Sequence, residues 1–332
     1  MITTCEKQLL GATSNMIYCK RLAIVITLLC ALPIGTLAQK GDAAQNPPAP
    51  LGKLVDVGGY RVHLYCTGTG SPTVVIVGAG FSFNWGLVQP EVTKIAQVCS
   101  YDHSGIGWSD DGPKDSCALR VSEVHTALKN AGIKEPYVLV GHSLGALVAR
   151  LYAGRYPDEV AGMVFVDHAM DISEGMLMLP PPPNDAKVPP RLPPPMLSTP
   201  SGGGPVSLGI ESDPNFSKLS AQDRELHLWA MTQTRNQNAL QSNHEMMPQC
   251  VAEADAIARE HSHALGDKPL VDITTVDSAR ATELQIKLLS LSQNSKQVIA
   301  EKSGHFIIID RPDVVVDAVS QVVRSVRNNA KL

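Results

Sequence analysis

The feature that most constrains how this chain folds is a glycine-flanked serine between an apolar segment and a helix-forming segment. The pentad Gly141-His142-Ser143-Leu144-Gly145 follows the apolar-leaning residues 137–140. A serine on a sharp strand-to-helix turn crowds its neighbours, and glycine on either side removes the Cβ atoms that would collide. The pattern predicts a strand, a strained turn at Ser143 and a helix over residues 144–156, with an apolar face of Leu147, Val148, Leu151 and Tyr152.

Strand-like and helix-like segments alternate on both sides of this turn. Two apolar segments flank Gly58-Gly59 and predict a hairpin over residues 54–66. Further strands are predicted at residues 73–77, 98–101, 162–166, 269–274 and 297–300, and further helices at 85–96, 119–130, 281–291 and 312–327. This alternation predicts an α/β protein with a mainly parallel sheet and helices on both faces.

The alternation stops between Asp167 and Lys268. Residues 180–205 contain eleven prolines and a run of three glycines, which excludes regular helix or strand. Residues 220–263 are polar and helix-prone, and Pro248 is predicted to interrupt them. Because this segment leaves and rejoins the sheet near Ser143, we predict an inserted helical cap over about residues 169–267.

The first 51 residues have the composition of a targeting segment and a linker. Lys20-Arg21 precede the apolar residues 22–32, and small residues end at Ala38. This order predicts a signal peptide over residues 1–38, a flexible linker over 39–51 and a single main domain over 52–330. We therefore expect a secreted or periplasmic protein with no stable membrane span after cleavage, or a membrane-anchored protein if the segment is retained.

Cysteine, histidine and charge patterns narrow the classes of ligand. Outside the leader four cysteines remain, and they allow disulfides in one of three pairings: Cys66, Cys99, Cys117 and Cys250. The alternative is that Cys66 and Cys99, both in predicted apolar strands, are simply small buried residues. His261 and His263 do not share a helix face, so we expect no metal site. Gly78-Ala79-Gly80 lacks the third glycine of a dinucleotide-binding fingerprint, so it is weak evidence for NAD binding. A net charge of −4 gives no reason to expect nucleic acid as a partner.

Three motifs together resemble the α/β-hydrolase superfamily, over residues 52–330. They are the pentad around Ser143, the stretch Tyr101-Asp102-x-x-Gly105-x-Gly107-x-Ser109, and Ser303-Gly304-His305 before the last predicted helix. The resemblance implies the α/β-hydrolase fold, with Ser143 as nucleophile, His305 as general base and the backbone N–H groups of Phe81 and Leu144 as an oxyanion hole. It implies no cofactor. The chain departs from many relatives in having Ala79-Gly80 instead of His-Gly, and His103 where arginine is usual.

Two aspartates compete for the role of triad acid. Asp167 directly ends a predicted strand, whereas Asp277 follows the next strand at the location more usual in the family. Carboxylates at the carboxyl ends of parallel strands lie where sites form in such folds, and we favour Asp167 with Asp277 as the alternative. Asp310 is predicted to cap the last helix, and Asp102 to hold its glycine-rich loop.

These residues predict an exported serine hydrolase that cleaves small-molecule carboxylic esters through an acyl-enzyme, as a carboxylesterase or lipase does. A serine nucleophile argues against the dehalogenases and epoxide hydrolases of the superfamily, which use aspartate. Peptidase, thioesterase, lactonase and haloperoxidase activities remain open, as does a non-catalytic binding or interaction protein on the same scaffold. The identity of the ester and the oligomeric state are not predicted.

Overall fold

The computed structural model describes residues 47–168, 209–260, 264–276 and 282–332. The predicted signal peptide, the proline-rich segment, His261, His263 and Asp277 lie outside these ranges. The described residues form an eight-stranded sheet of β1 (Lys53–Asp56), β2 (Arg61–Thr67), β3 (Thr73–Val77), β4 (Val98–Asp102), β5 (Tyr137–His142), β6 (Val160–Val166), β7 (Leu270–Thr275) and β8 (Ser295–Ala300).

The sheet has the strand order β1-β2-β4-β3-β5-β6-β7-β8. β2 is antiparallel to both β1 and β4, and the remaining neighbours are parallel. Every residue of β3 and β5 is buried, as expected for central strands that are covered on both faces. This arrangement confirms the predicted mainly parallel sheet, and it places the ends of β5, β6 and β7 side by side.

Helices cover both faces of the sheet. They are α1 (Gln89–Val92), α2 (Cys117–Asn130), α3 (Leu144–Arg155), α4 (Ala221–Met231), α5 (Thr234–Glu260), α6 (Thr282–Leu289), α7 (Ile307–Asp310) and α8 (Pro312–Asn328). On one face, Leu139 of β5 packs in a cluster with Val124 and Leu147. On the other, Val140 packs in a cluster with Val92 and Val319. Alternate residues of one strand therefore belong to two separate apolar layers.

Two predicted helices have different limits from those expected. α1 begins only at Gln89, because Pro90 has no N–H and its ring would clash with a carbonyl one turn earlier. α5, by contrast, continues through Pro248, and the chain breaks between α4 and α5 instead. A proline costs about 3 kcal/mol in a helix interior, and the contacts of α5 with the rest of the domain offset that cost.

The first of those contacts is covalent. Cys117 at the start of α2 forms a disulfide with Cys250, two residues after Pro248. Cys66 and Cys99 stand opposite each other on β2 and β4 and form a second disulfide. Arg235 at the other end of α5 donates hydrogen bonds to the main-chain oxygens of Gly107 and Ser109. In the described ranges, no helix is both long enough and apolar enough to cross a membrane.

Candidate active site

Ser143 lies on a strained turn between β5 and α3. Its φ of 53° and ψ of −127° fall where residues with a Cβ atom are rarely found. A Cβ atom on Gly145 would stand 1.9 Å from the main-chain oxygen of Val77, and one on Gly141 would stand 2.5 Å from the Cα of Ala146. Both glycines are therefore required by the close packing of this turn. The turn leaves Ser143 at the N-terminus of α3, where backbone N–H groups and the helix dipole favour negative charge.

His305 stands in the loop between β8 and α7, and its Nδ1 lies 2.6 Å from Oδ2 of Asp167. A carboxylate only accepts hydrogen bonds, so a proton of this pair is on Nδ1, and in the neutral form of the ring Nε2 is the acceptor. Asp167 follows β6 directly with a φ of 39°, and its N–H donates to the carbonyl of Ile273. The structure thus brings together His305 and the acid that the sequence favours, while the alternative acid, Asp277, lies outside the described residues.

The loop that carries His305 is held by Asp310. The Asp310 carboxylate accepts hydrogen bonds from the N–H of Gly304 at 2.8 Å, from the Ser303 hydroxyl at 3.1 Å and from Nδ2 of Asn215 at 2.8 Å. The prediction that Asp310 caps the last helix is wrong, since the N-cap residue of α8 is Arg311, whose side chain makes no capping hydrogen bond within the described residues. Sequence proximity to that helix was misleading because Asp310 ends the preceding short helix, α7, and its side chain turns back to bind Ser303 and Gly304.

Asp102 positions the segment that contains Phe81. Its carboxylate accepts from the N–H of Ser82 at 2.6 Å, from the Ser82 hydroxyl at 3.0 Å, and from Nδ1 of His63 at 2.8 Å. Gly107 of the glycine-rich loop also packs against this carboxylate, where a Cβ atom would stand 2.6 Å from Oδ2. The predicted role of Asp102 in its own loop is therefore incomplete, because its hydrogen bonds also fix the residue after Phe81.

A cavity of about 300 Å³ joins these parts. Ser143, His305, Phe81 and Leu144 all line it. Among the described residues, its other walls are largely apolar, with a few polar side chains and no aspartate, glutamate, lysine or arginine: Ala79, Gly80, Asn84, Trp85, His142, Gly209, Ile210, Leu240, Asn243, His244, Met247, Phe306 and Ile308. In those same ranges, no group of three histidine, cysteine or acidic side chains is arranged to hold a metal ion.

His142, next to the nucleophile in sequence, is part of this cavity. Its ring centroid lies 4.8 Å from that of His305, and its Nε2 lies 3.0 Å from the His305 main-chain oxygen. Burial, with a smaller contribution from the charge of His305, lowers the pKa of His142 to about 3. The ring is therefore neutral at physiological pH, and its Nε2–H donates to the main-chain carbonyl of His305. No spacing in the sequence indicates this contact.

Two neutral buried histidines should make the fold sensitive to acid. Burial lowers the pKa of His103 to about 3 as well, with a further contribution from Arg120. In the unfolded chain both rings titrate near the ordinary histidine pKa of about 6.5. Between these values the unfolded state binds more protons, so the free energy of unfolding falls as the pH falls, by up to about 1.4 kcal/mol per pH unit for each ring.

We therefore expect urea unfolding between pH 5 and pH 7 to show a stability that rises with pH. His103→Gln should reduce the slope of the unfolding free energy against pH by the equivalent of about one bound proton, because that position then binds no proton in either state. His125→Gln, at a half-buried ring on the domain surface, is the matched control and should keep the wild-type slope more closely. An unchanged slope in His103→Gln would contradict the assignment of a neutral buried His103.

Comparison with known proteins identifies the family. The family model described as the alpha/beta hydrolase fold matches residues 72–312. The chain therefore belongs to the α/β hydrolase fold family, as its sheet order and the turn at Ser143 indicate. A solved structure of a putative acyltransferase from Salmonella enterica superposes with a TM-score of 0.61 at 18% identity, covering 85% of this chain and 99% of that one. At this identity the likeness shows the fold alone.

Curated relatives cover a shorter part of the chain. An uncharacterized protein of Schizosaccharomyces pombe is 31% identical over 157 residues, which is 38% of this chain and 29% of that protein. A 2-hydroxymuconate semialdehyde hydrolase of Pseudomonas sp. is 33% identical over 144 residues, which is 41% of this chain and 50% of that protein. The alignments thus span half or less of the length of both relatives.

Proposed function

We propose that this protein is a serine hydrolase that cleaves small, uncharged carboxylic esters. The observation that carries the proposal is the 2.6 Å hydrogen bond between His305 and Asp167, at a cavity that Ser143 also lines. A serine hydroxyl becomes a useful nucleophile when an imidazole takes its proton and a carboxylate fixes the imidazole tautomer. The name of the Pseudomonas relative, a hydrolase, also supports this class of reaction.

The proposed reaction has two halves. Ser143 Oγ attacks the ester carbonyl while His305 Nε2 takes the hydroxyl proton, and the N–H groups of Phe81 and Leu144 stabilise the resulting oxyanion. The tetrahedral intermediate collapses, the C–O bond to the alcohol breaks, and His305 gives its proton to the leaving alcohol. Water then attacks the acyl-enzyme with the same assistance from His305. The products are the carboxylic acid and free Ser143.

The walls of the cavity support an uncharged substrate. Trp85, Leu240, Met247 and Phe306 supply an apolar lining, and the described lining residues include no aspartate, glutamate, lysine or arginine that could pair with an ion. Transfer of an unpaired charge into such a cavity is costly, whereas a short alkyl or aryl group gains from burial. Methionine also adapts to irregular apolar shapes, so we propose tolerance of several acyl groups.

Export of the protein is part of the proposal. The basic-then-apolar N-terminal sequence supports a cleaved signal peptide. The two disulfides, Cys66–Cys99 and Cys117–Cys250, support an oxidising compartment, because such bonds are rare where thiols are kept reduced.

A panel of p-nitrophenyl esters tests the function. Neutral acyl groups of two to twelve carbons should be hydrolysed, and kcat/KM for the best of them should exceed that for an anionic hemisuccinate of similar length by at least about tenfold, equivalent to about 1.4 kcal/mol. The comparison must be made at constant ionic strength, since long-range steering of an ion depends on salt. Absence of turnover with every ester would defeat the proposal, and equal rates with the charged ester would defeat the uncharged substrate class.

A further inference from the structure

A residue of α5 reaches the loop that carries the proposed oxyanion donor. Nδ2 of Asn243 donates a hydrogen bond of 2.8 Å to the main-chain oxygen of Ala79, which is 164 positions earlier in the chain. Asn243 is 5% exposed and lines the same cavity as Ser143. Its contact therefore joins the inserted helix to the segment that ends in Phe81.

The Ala79 segment has little of its own to fix its conformation. Ala79 lies between Gly78 and Gly80, and glycine has the largest backbone freedom of any residue. Among the described residues, Ala79 makes no turn or loop hydrogen bond to another main-chain group. Beyond Phe81 the chain is fixed, because the Ser82 N–H is bound to Asp102. The Asn243 hydrogen bond supplies a restraint before Phe81, because the Ala79 oxygen belongs to the peptide that precedes the one carrying the Phe81 N–H.

Asn243 itself is held firmly. The preceding residue, Ser242, donates its hydroxyl to Oδ2 of Asp115 at 2.5 Å. Asp115 is in turn paired with buried Arg120. Seven residues further along α5, the disulfide to Cys117 fixes the helix again. A donor mounted between two such anchors loses little freedom when it binds Ala79, which is what positioning requires.

The cost of this arrangement is visible in the same side chain. Oδ1 of Asn243 is buried and has no hydrogen-bond partner among the described residues. A buried unpaired carbonyl is unfavourable, and a leucine of similar size would avoid it. The amide at this position therefore contributes through its donor, which leads to Ala79.

We propose that Asn243 is a positioning residue, which orients the Ala79–Gly80 peptide so that the next peptide directs the Phe81 N–H at the developing oxyanion. This inference rests on the proposed function, because it concerns the oxyanion hole of that same reaction. It assigns the inserted helix a role in the chemical step. A residue with this role affects the transition state more than it affects binding of the uncharged ester.

The chain offers a closely matched control in the same helix. Asn236 is also buried, and its Oδ1 also lacks a partner within the described part of the chain. Its Nδ2 also donates to a main-chain oxygen at 2.8 Å, that of Ala230 in α4. Asn236 does not line the described cavity. Asn243→Leu and Asn236→Leu therefore remove the same kind of hydrogen bond. The acceptor of the first is Ala79, next to the proposed oxyanion hole, and the acceptor of the second is Ala230 in α4.

We expect Asn243→Leu to lower kcat on the best neutral ester by about tenfold with KM changed less than about threefold, a smaller loss than the 10²–10³ for removal of an oxyanion donor itself. Asn236→Leu should keep kcat within about twofold of wild type. An alkyl trifluoromethyl ketone adds a serine to its carbonyl and so forms a tetrahedral oxyanion. Its inhibition constant should rise about tenfold in Asn243→Leu and stay unchanged in Asn236→Leu.

A second variant, Asn243→Asp, tests the same prediction if Asn243→Leu does not fold. Asn243→Asp keeps the shape of the side chain and, when ionised, removes the donor, so it should show the same loss of kcat. Equal kinetics for the Asn243 and Asn236 variants would overturn the positioning role while leaving the proposed function standing. Loss through KM alone would also overturn it. A wild-type protein that hydrolyses no ester would instead defeat the proposed function, so the two failures are distinguishable.

Discussion

Ser143→Ala is expected to lower ester turnover by about 10⁶-fold, the loss seen when a catalytic serine is removed from a triad. The physical reason is that His305 can then activate no hydroxyl at the end of β5, and only the oxyanion donors and substrate binding remain. Labelling by a fluorophosphonate should disappear with turnover, because the same hydroxyl attacks phosphorus. Both measurements use the full-length, disulfide-bonded protein.

The fold should survive this change. Alanine and serine both carry a Cβ atom, so the steric strain of the backbone at φ 53° is the same in the variant. The flanking glycines are unchanged. Circular dichroism and urea unfolding should match the wild type closely. Ser217→Ala, at an exposed serine whose hydroxyl bonds to the Pro214 carbonyl, is the control and should label normally. Undiminished labelling of the Ser143 variant would show that another residue is the nucleophile.

Local patterns predicted the sheet well. The buried strands β3 and β5 appear at nearly the positions that their apolar sequences indicate, and glycine before and after Ser143 marks the turn between β5 and α3. The course of α5 was not predictable in the same way. Pro248 is a helix-breaking signal in isolation, and it is tolerated because anchors distant in sequence, such as Cys117, hold the helix around it.

The residues of the site likewise differ in whether the sequence could predict them. Ser143 and His305 belong to short motifs that carry their local geometry with them, so the sequence nominated them. Asn243 and Asp310 make hydrogen bonds to residues on other segments, Asn243 to the Ala79 carbonyl 164 positions away and Asp310 to the Asn215 side chain. Nothing in residue spacing encodes such a contact, because it depends on how α5 and α7 pack after the chain has folded.

Asp167→Asn is expected to lower kcat by about 10⁴-fold, as removal of the acid does in other triads. The Asp167 carboxylate holds the proton of His305 on Nδ1, at 2.6 Å. An asparagine that presents its NH₂ group instead favours the tautomer with the proton on Nε2, which cannot accept the Ser143 proton. The loss should appear in kcat, because neutral ester binding in the apolar cavity does not depend on this pair.

Asp277→Asn provides the direct contrast, since Asp277 occupies the family's more usual position after β7. If Asp167 is the acid, that variant should lose less than about tenfold in kcat. The observed geometry of Asp167 suits the role of acid. It follows β6 without a spacer, and its N–H bond to Ile273 of β7 fixes its backbone beside the site. A rigid acid limits the rotation of the His305 ring and so keeps Nε2 available to the nucleophile. The reverse ranking, with Asp277→Asn nearly inactive and Asp167→Asn nearly normal, would transfer the role of acid to Asp277 and leave the bond between Asp167 and His305 a structural one.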